Sequence, residues 1–417
     1  MADSTKRVMI LVSDAGFGHR NAAKAITAAL AERYGDAVIT ETVNPLDDKR
    51  VPALLRNSQY DYDRFVRTMP KLYDLGYEVS DSTVSTAVMD GALTLMLFEV
   101  LRDLIRRAQP DVLVVAYPVY QAPLSAIRQL ARRDIPVVTV VTDLVNVHRI
   151  WFSEVADFCV VPTEAAREQA LKQGLRPERV EVAGVPVSPA FGRREDTPAN
   201  LRARLGWRTD LKTFLVVGSK RVGNMREVLH VLNHSALPIQ LIVIAGGDDE
   251  LYAELQSTTW HVEVRLYNFV DNLPTMMQAS DGVISKAGGL IVSESLACGL
   301  PLLLIDALPG QETGNAAYVQ AAGAGELVRS PSAALEAVYH WLDKDAALLA
   351  ERAANARELG RPEAAYHVAE RVWALAERVR PSRGLGRFLS RGQWSRRREV
   401  RDGTQNESEP ELGWEDR

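Results

Sequence analysis

Short apolar runs alternate along the first half of the chain with a longer segment of helical spacing at 22–33. The four most apolar runs are residues 8–12, 38–43, 111–116 and 135–142. The runs 111–116 and 135–142 are rich in β-branched residues and lack the polar alternation of a half-exposed strand, which predicts strands buried on both faces of a parallel sheet. Shorter runs at 155–161 and 180–182 predict two further strands.

The same alternation begins again near residue 213. The second set of predicted strands covers residues 213–218, 240–245, 262–266, 282–285 and 301–305. Prolines, glycine and charges interrupt the pattern between residues 186 and 207, and two helical patterns, 333–349 and 364–379, end it. The prediction is an α/β protein of two Rossmann-like, doubly wound domains facing a cleft. Its divisions are a first domain 1–190, a linker 191–207, a second domain 208–365, a C-terminal helix 366–380 and a tail 381–417.

Composition narrows the class of protein. The chain has 417 residues and a formal net charge of −5, which is typical of a globular protein. Its only cysteines, Cys159 and Cys298, lie in apolar runs, which predicts buried thiols and no disulfide framework. The first apolar run is too short for a signal peptide, and no window offers the roughly 18 apolar residues of a spanning helix. We therefore expect a cytoplasmic protein whose membrane contact is peripheral.

Charge is unevenly distributed in the C-terminal tail. Residues 380–401 contain eight arginines among scattered apolar residues, and residues 402–417 are acidic and polar. Such a basic segment is suited to an anionic membrane surface. Nucleic acid is the lesser alternative, because the chain as a whole is acidic.

The stretch from Lys286 to Glu312 carries the most chemistry. The strand 282–285 is followed by Gly288 and Gly289 and then by a helical pattern, so unpaired N–H groups at the helix start would face a diphosphate. The other residues predicted to bind the donor here are Lys286, Ser293, Glu294, Gln311 and Glu312. Glu294 can accept from a ribose diol. Gly218 and Ser219, after another strand, can close over the phosphates.

The loop after the first strand offers a general base. Gly16 and Gly18 allow a tight turn, and His19 follows at the start of a helix, where it can accept a proton near neutral pH. Asp14 is a second catalytic candidate. The alternative for His19 is a residue that caps its own helix.

Three further residues are candidates for the acceptor side. Asp143 follows a strand, and His148 and Trp151 come soon after it. An aspartate in that position is often a cap, and a single histidine is often structural. The seven histidines are scattered without metal-ligand spacing, so no metal and no other cofactor is expected.

These motifs together resemble glycosyltransferase family 28, in particular the monogalactosyldiacylglycerol synthase and diacylglycerol glucosyltransferase group. The matching segments are residues 14–20, 142–144, 151–152, 162–164, 182–187 and 286–315. The resemblance implies a GT-B fold, an active-site role for His19, an acceptor-side Pro118, and contacts of Phe269 and Val270 with the nucleotide base. For Phe269 the alternative is a side chain that fills the core.

The resemblance further implies an inverting transfer of a hexose from a UDP-sugar to diacylglycerol. The aromatic and basic segment 60–77 resembles the acceptor-domain insert of glycolipid synthases. Two departures stand out, Ile291 in place of a threonine and a loop 218–223 with fewer glycines. Open alternatives are a lipid-linked peptidoglycan N-acetylglucosaminyltransferase, a UDP-N-acetylglucosamine 2-epimerase and a non-catalytic UDP-sugar or lipid sensor. The sequence does not choose between glucose and galactose.

Overall fold

The computed structural model describes residues 5–15, 18–53, 55–57, 83–130, 134–194, 196–218 and 222–378. Gly16, Ser219, the segment 60–77 and the tail 381–417 lie outside these residues. The sequence predictions made for them therefore stay predictions.

The first half of the chain builds a six-stranded parallel sheet in the order β2-β1-β3-β4-β5-β6. Its strands are β1 Lys6–Leu11, β2 Val38–Val43, β3 Val112–Val115, β4 Val137–Val140, β5 Phe158–Val161 and β6 Val180–Val182. The helices are α1 Gly18–Tyr34, α2 Thr83–Ala108, α3 Gln121–Leu130 and α4 Glu164–Lys172. The strand order reverses between β1 and β3, which opens a crevice beyond the carboxyl ends of those two strands.

The second half repeats this architecture in the order β12-β11-β10-β7-β8-β9. Its strands are β7 Lys212–Val217, β8 Ile239–Ile244, β9 Glu263–Tyr267, β10 Gly282–Lys286, β11 Leu302–Asp306 and β12 Gly325–Leu327. The helices are α5 Pro198–Leu205, α6 Met225–Asn233, α7 Asp249–Ser257, α8 Leu273–Gln278, α9 Gly289–Ala297, α10 Gln311–Ala321, α11 Pro331–Leu359 and α12 Ala364–Arg378. Here the order reverses between β7 and β10.

The predicted strands agree with the structure to within three residues at either end. β12 was not predicted, because its three residues contain a single apolar side chain. The helix predicted at 333–349 extends to Leu359 but is broken at Asp343–Ala346, where Lys344, Asp345 and Ala346 have φ of 49°, 58° and 61°. Cys159 and Cys298 are buried free thiols, as expected.

The last helix returns to the first sheet. Val368 and Val372 of α12 pack into the same core as Val8 of β1, and Trp373 stacks on Tyr34 of α1 with ring centroids 4.2 Å apart. The predicted division at 366 thus falls inside a helix that begins at Ala364 and completes the core of the first domain. The chain therefore crosses between the two sheets twice.

The two crossings pack against each other. Gly184, just before the linker, has φ of +98°, and a Cβ built on it would lie 2.4 Å from Cβ of Arg361 in the return crossing. Arg193 of the linker hydrogen-bonds Glu32 of α1 and the hydroxyl of Tyr366. The amide of Gln278 donates to the carbonyl of Arg193 at 2.6 Å. The linker is thus fixed to both halves.

Among the described residues, no helix combines the length and apolar character that crossing a membrane requires.

The packing at Gly184 generates a stability prediction. We expect Gly184→Ala to lower the free energy of unfolding by ~1–3 kcal/mol more than Gly174→Ala, since only the former pushes a side chain against Arg361. Gly174 is the matched control, because its φ of +94° imposes a similar backbone strain while nothing lies within 4 Å of the added Cβ. Urea unfolding measures both. Equal losses would contradict close packing between the crossings.

Candidate active site

The turn between β10 and α9 forms one wall of the site. Gly288 precedes the first helical residue, Gly289, and has no side chain with which to cap the helix. The preceding residue is fixed from two sides, because the Ala287 N–H donates to the Asp306 carbonyl at 2.8 Å and the Ala287 carbonyl accepts from Asn315 Nδ2 at 2.9 Å. The helix therefore starts with N–H groups available to an anion.

Glu294 lies one turn into α9 with only 7% of its surface exposed. The described residues supply no hydrogen-bond donor to its carboxyl oxygens, and burial raises its pKa from 4.5 to about 8. A buried carboxyl group without donors is costly unless a ligand satisfies it. This is the environment expected of a residue that binds two neighbouring hydroxyls.

Lys286 and Glu312 form a salt bridge at the edge of the same turn. The second carboxylate oxygen of Glu312 accepts from the Leu308 N–H at 2.9 Å, which fixes the loop that leads into α10. Because the two charges neutralise each other, Lys286 contributes less positive charge to the pocket than its position in the sequence suggests.

The described ends of the loop after β7 are Gly218 and residues 222–224. A Cβ on Gly218 would lie 2.5 Å from Sδ of Met225, so a larger residue there would require the Met225 side chain to move. At the far end of the loop, the Gly223 N–H donates to Oδ2 of Asp306 at 2.8 Å.

Ser293 donates its hydroxyl to the Gly289 carbonyl at 2.7 Å, within α9 itself. Its oxygen can still accept a hydrogen bond.

Phe269 follows β9 and is 71% exposed. The alternative in which this ring fills the core is therefore wrong. Val270 is partly buried against the core that includes Met276 and Met277. An exposed ring beside an anchored valine leaves the ring face and the main chain available to a planar ligand.

His19 forms the opposite wall as the second residue of α1. Its Nδ1 lies 2.8 Å from Oγ1 of Thr142, and its ring meets the edge of Tyr117 at 4.9 Å and lies 6.1 Å from the Trp151 ring. Burial lowers the pKa of His19 from 6.5 to about 4, and the carbonyl of Ala116 opposes this shift. The imidazole is therefore neutral at pH 7 and able to accept a proton.

Asp14, the second catalytic candidate, is held by Arg20 and by Asn44, whose Nδ2 donates to Oδ2 of Asp14 at 3.3 Å. The side chain that hydrogen-bonds the His19 ring is Thr142. The ring is thus oriented by the hydroxyl of Thr142, two residues after β4, a role that the motif 142–144 did not predict.

Asp143 orients the Trp151 ring. Its Oδ2 accepts from Nε1 of Trp151 at 2.7 Å. Burial raises the pKa of Asp143 from 3.8 to about 6, while the side chains of Trp151 and Gln311 act in the opposite direction. Gln311, in the second half of the chain, is a residue predicted to bind the donor.

The remaining acceptor-side candidates have local roles. His148 is buried, and its Nδ1 accepts from the Ile150 N–H at 3.3 Å, so it caps its own short helical turn. Pro118 begins the turn after β3 that carries Tyr120 into the core. Gly18 is the first residue of α1, with open space where a Cβ would be.

The loop after β4 touches the Gly288–Gly289 turn directly. A Cβ on Gly289 would lie 3.8 Å from both the Thr142 carbonyl and Cβ of Leu144, and Asn146 Nδ2 donates to the Gly310 carbonyl at 2.9 Å. His19 and the Gly288–Gly289 turn therefore both contact the loop 142–146.

Within the described ranges, no group of three or more His, Cys, Asp or Glu residues is arranged to hold a metal ion.

Several residues at this crevice were not singled out from the sequence. They are Tyr117, Asn146, Asp306 and Asn315, and Thr142 had no role of its own. Asp306 is the last residue of β11, and each of the others lies in a loop after a parallel strand or in the helix that follows one. A position at or beyond the end of a strand was thus the available signal. Which of these side chains point into the site depends on the tertiary packing.

Family models match most of the chain. The model for monogalactosyldiacylglycerol synthase matches residues 19–187, and the model for the glycosyltransferase family 28 C-terminal domain matches residues 213–371. The monogalactosyldiacylglycerol synthase of Spinacia oleracea is 32% identical over 388 residues, which cover 91% of this chain and 73% of the spinach protein. The chain belongs to the monogalactosyldiacylglycerol synthase family. It is thus a glycosyltransferase, as the motifs predicted.

A second relative supports this assignment. Monogalactosyldiacylglycerol synthase 2 of Arabidopsis thaliana is 30% identical over 91% of this chain and 83% of its own length. Family membership favours the transferase over the epimerase and sensor alternatives.

Solved structures confirm the GT-B fold. MurG of Acinetobacter baumannii aligns with a TM-score of 0.58 at 15% identity, over 88% of this chain and 99% of its own. The calicheamicin glycosyltransferase CalG4 aligns with a TM-score of 0.55 at 16% identity, over 90% and 100%. A UDP-GlcNAc 2-epimerase from Neisseria meningitidis, solved with UDP-GlcNAc, reaches 0.58 at 15%, over 88% and 100%. Because transferases and an epimerase share this fold, the fold alone does not decide the activity.

The raised pKa of Glu294 predicts an unusual pH dependence of stability. A carboxyl group whose pKa rises from 4.5 to about 8 on folding stabilises the fold below about pH 4.5 and loses that contribution as the pH rises toward 8. We expect Glu294→Gln to exceed the parent in free energy of unfolding by a few kcal/mol, as an order of magnitude, at pH 8. The difference should shrink toward pH 5.

Urea unfolding at several pH values measures this difference. Glu250→Gln, at an exposed position of α7, is the control and should shift stability by less than about 0.5 kcal/mol at every pH. A Glu294→Gln variant that is less stable than the parent at pH 8 would mean that the carboxylate has donors in the folded protein.

Proposed function

We propose that this protein transfers a hexose from a UDP-sugar to the hydroxyl of diacylglycerol or a related lipid, with inversion and without a metal. The observation that supports the proposal is that His19 and the Gly288–Gly289 turn both contact Thr142, which brings the candidate base close to the candidate phosphate site. A donor bound at the turn would present its sugar toward the histidine. The relatives' names, monogalactosyldiacylglycerol synthase, favour galactose and diacylglycerol as substrates.

On the donor side, each part of a UDP-sugar would have a matching group. The diphosphate would bind at the start of α9, the ribose hydroxyls would donate to Glu294, and the base would lie on Phe269 and the main chain of Val270. Gln311 and Glu312 would hydrogen-bond the hexose. The Neisseria epimerase, which shares the fold, was solved with UDP-GlcNAc bound.

The reaction would proceed by direct displacement. The acceptor oxygen forms a bond to the anomeric carbon on the face opposite the diphosphate, and the bond from that carbon to UDP breaks with its electron pair leaving on UDP. His19 takes the proton of the acceptor hydroxyl. The negative diphosphate would raise the pKa of His19 from about 4 toward neutrality, which improves its match to the proton that it accepts.

The leaving group would be stabilised without a cation. The N–H groups at the start of α9 and the helix dipole act on the charge that develops on UDP. Lys286 is engaged by Glu312, so the main chain would be the principal source of positive potential at the turn.

The lipid acceptor implies work at a membrane surface, and we propose a peripheral location on its cytoplasmic face. Two apolar side chains of α2, Val88 and Leu95, are 71% and 87% exposed and lie seven residues apart, on one face of the helix. Arg102 continues that face toward the C-terminus, with its guanidinium over the Phe98 ring. Apolar side chains beside a cation suit the interface of an anionic bilayer.

The test is product formation on liposomes. The full chain is incubated with vesicles that contain diacylglycerol and, in turn, UDP-glucose, UDP-galactose and UDP-GlcNAc, and lipid products are identified by mass. We expect a monohexosyl lipid from at least one donor. His19→Ala should lower the rate by ~100-fold or more, with UDP affinity nearly unchanged, because a general base contributes about that much.

His340→Ala is the matched control, since it removes a 57% exposed histidine in α11, outside the crevice. No lipid product from the parent with any donor would contradict the proposed reaction. Undiminished transfer by His19→Ala would contradict the assignment of the base.

A further inference from the structure

We infer that Asn315 is a positioning residue for the donor diphosphate, which it serves by holding the turn that would bind the phosphates. This inference rests on the proposed UDP-sugar donor. Asn315 belongs to α10, four residues after Gln311, and the role inferred for it acts through the main chain of Ala287.

One hydrogen bond connects Asn315 to the turn. Nδ2 of Asn315 donates to the carbonyl of Ala287 at 2.9 Å, in a buried position. In a trans peptide the C=O and the following N–H point in opposite directions. A carbonyl held toward α10 therefore turns the Gly288 N–H away from α10, and it fixes the plane of the peptide from which α9 begins.

The same amide lies close to the next residue. A Cβ on Gly289 would lie 3.7 Å from Nδ2 of Asn315. On its other side, the Ala287 N–H is held by the Asp306 carbonyl at 2.8 Å. Both hydrogen-bonding groups of Ala287 are thus occupied by neighbouring elements, and the N–H groups that follow are oriented before any ligand arrives.

The other atom of the amide argues against a purely structural role. Asn315 is 3% exposed, and within the described part of the chain its Oδ1 has no hydrogen-bond partner. A buried acceptor without a partner lowers stability, so an apolar residue of the same shape would suit packing better. What asparagine supplies here is the donor to Ala287.

The experiment compares two ligands that differ only in their phosphates. Affinities for UDP and for uridine are measured by calorimetry on the full chain, for the parent, Asn315→Ala and Asn315→Leu. Leucine has the shape of asparagine without polar atoms, so it guards against a folding defect of the alanine variant. We expect UDP affinity to fall on the order of tenfold in both variants, with uridine affinity within about twofold of the parent.

Asn233→Ala is the matched control. Asn233 is also buried, and its Nδ2 donates to the Thr259 carbonyl at 2.8 Å in the same half of the chain. Its loss should lower thermal stability and leave the ratio of UDP to uridine affinity unchanged.

The outcomes separate the two claims. If the parent binds UDP and the Asn315 variants keep its ratio of UDP to uridine affinity, the positioning role is overturned and the proposed donor stands. If the parent binds no UDP, the proposed donor is wrong and the positioning role falls with it. A selective loss of UDP affinity in both variants supports the inference.

Discussion

The N–H groups at the start of α9, which no side chain of the described residues caps, determine how the rest of the site is arranged. A helix end without side-chain caps inside a protein needs a partner, and an anion is the partner that the helix dipole favours. The elements around this end hold its shape. β11 fixes the Ala287 N–H and α10 fixes the Ala287 carbonyl, while the loop after β4 lies against Gly289. The Gly288–Gly289 turn is therefore oriented by β11, α10 and the loop after β4 rather than by its own sequence.

The second constraint is that the points at which the strand order reverses in the two sheets lie on the two sides of the site. His19 follows β1 and Tyr117 follows β3, on either side of the reversal in the first sheet. The Gly218 loop follows β7 and the Gly288 turn follows β10, on either side of the reversal in the second. The first sheet thus carries the candidate base, and the second sheet carries the proposed anion site. Asp143, which accepts a hydrogen bond from Trp151, lies in the loop after β4 between them.

Two buried polar groups at this site lower the stability of the fold. Glu294 is buried with a raised pKa, and Oδ1 of Asn315 is buried without a partner in the described chain. Isolated groups of this kind each lower the stability of a folded protein by about 1–3 kcal/mol. The burial of Glu294 is understandable if a ligand with hydroxyls binds beside it, and Asn315 is understandable from the hydrogen bond that its Nδ2 donates to Ala287.

Much of this could be predicted from the sequence, for identifiable reasons. The strands were found because buried parallel strands are continuous β-branched runs, and the donor turn because two glycines between a strand and a helix have a clear physical meaning. The roles of Thr142 and Asn315 were not found, because their partners, His19 and Ala287, are 123 and 28 residues away. The return of α12 to the first sheet was also missed, since an amphipathic helix does not specify which core it covers. Gly16 and Ser219 stay predictions.

The central claim is that Glu294 and the α9 turn bind the UDP moiety of the donor. Calorimetry with UDP, 2′-deoxy-UDP and 3′-deoxy-UDP, on the parent and on Glu294→Gln, tests it most directly. If the carboxylate accepts from the ribose diol, removal of a hydroxyl should weaken binding to the parent by about 1–3 kcal/mol and weaken binding to the variant much less. Equal losses in the two proteins, for both deoxy ligands, would contradict the account.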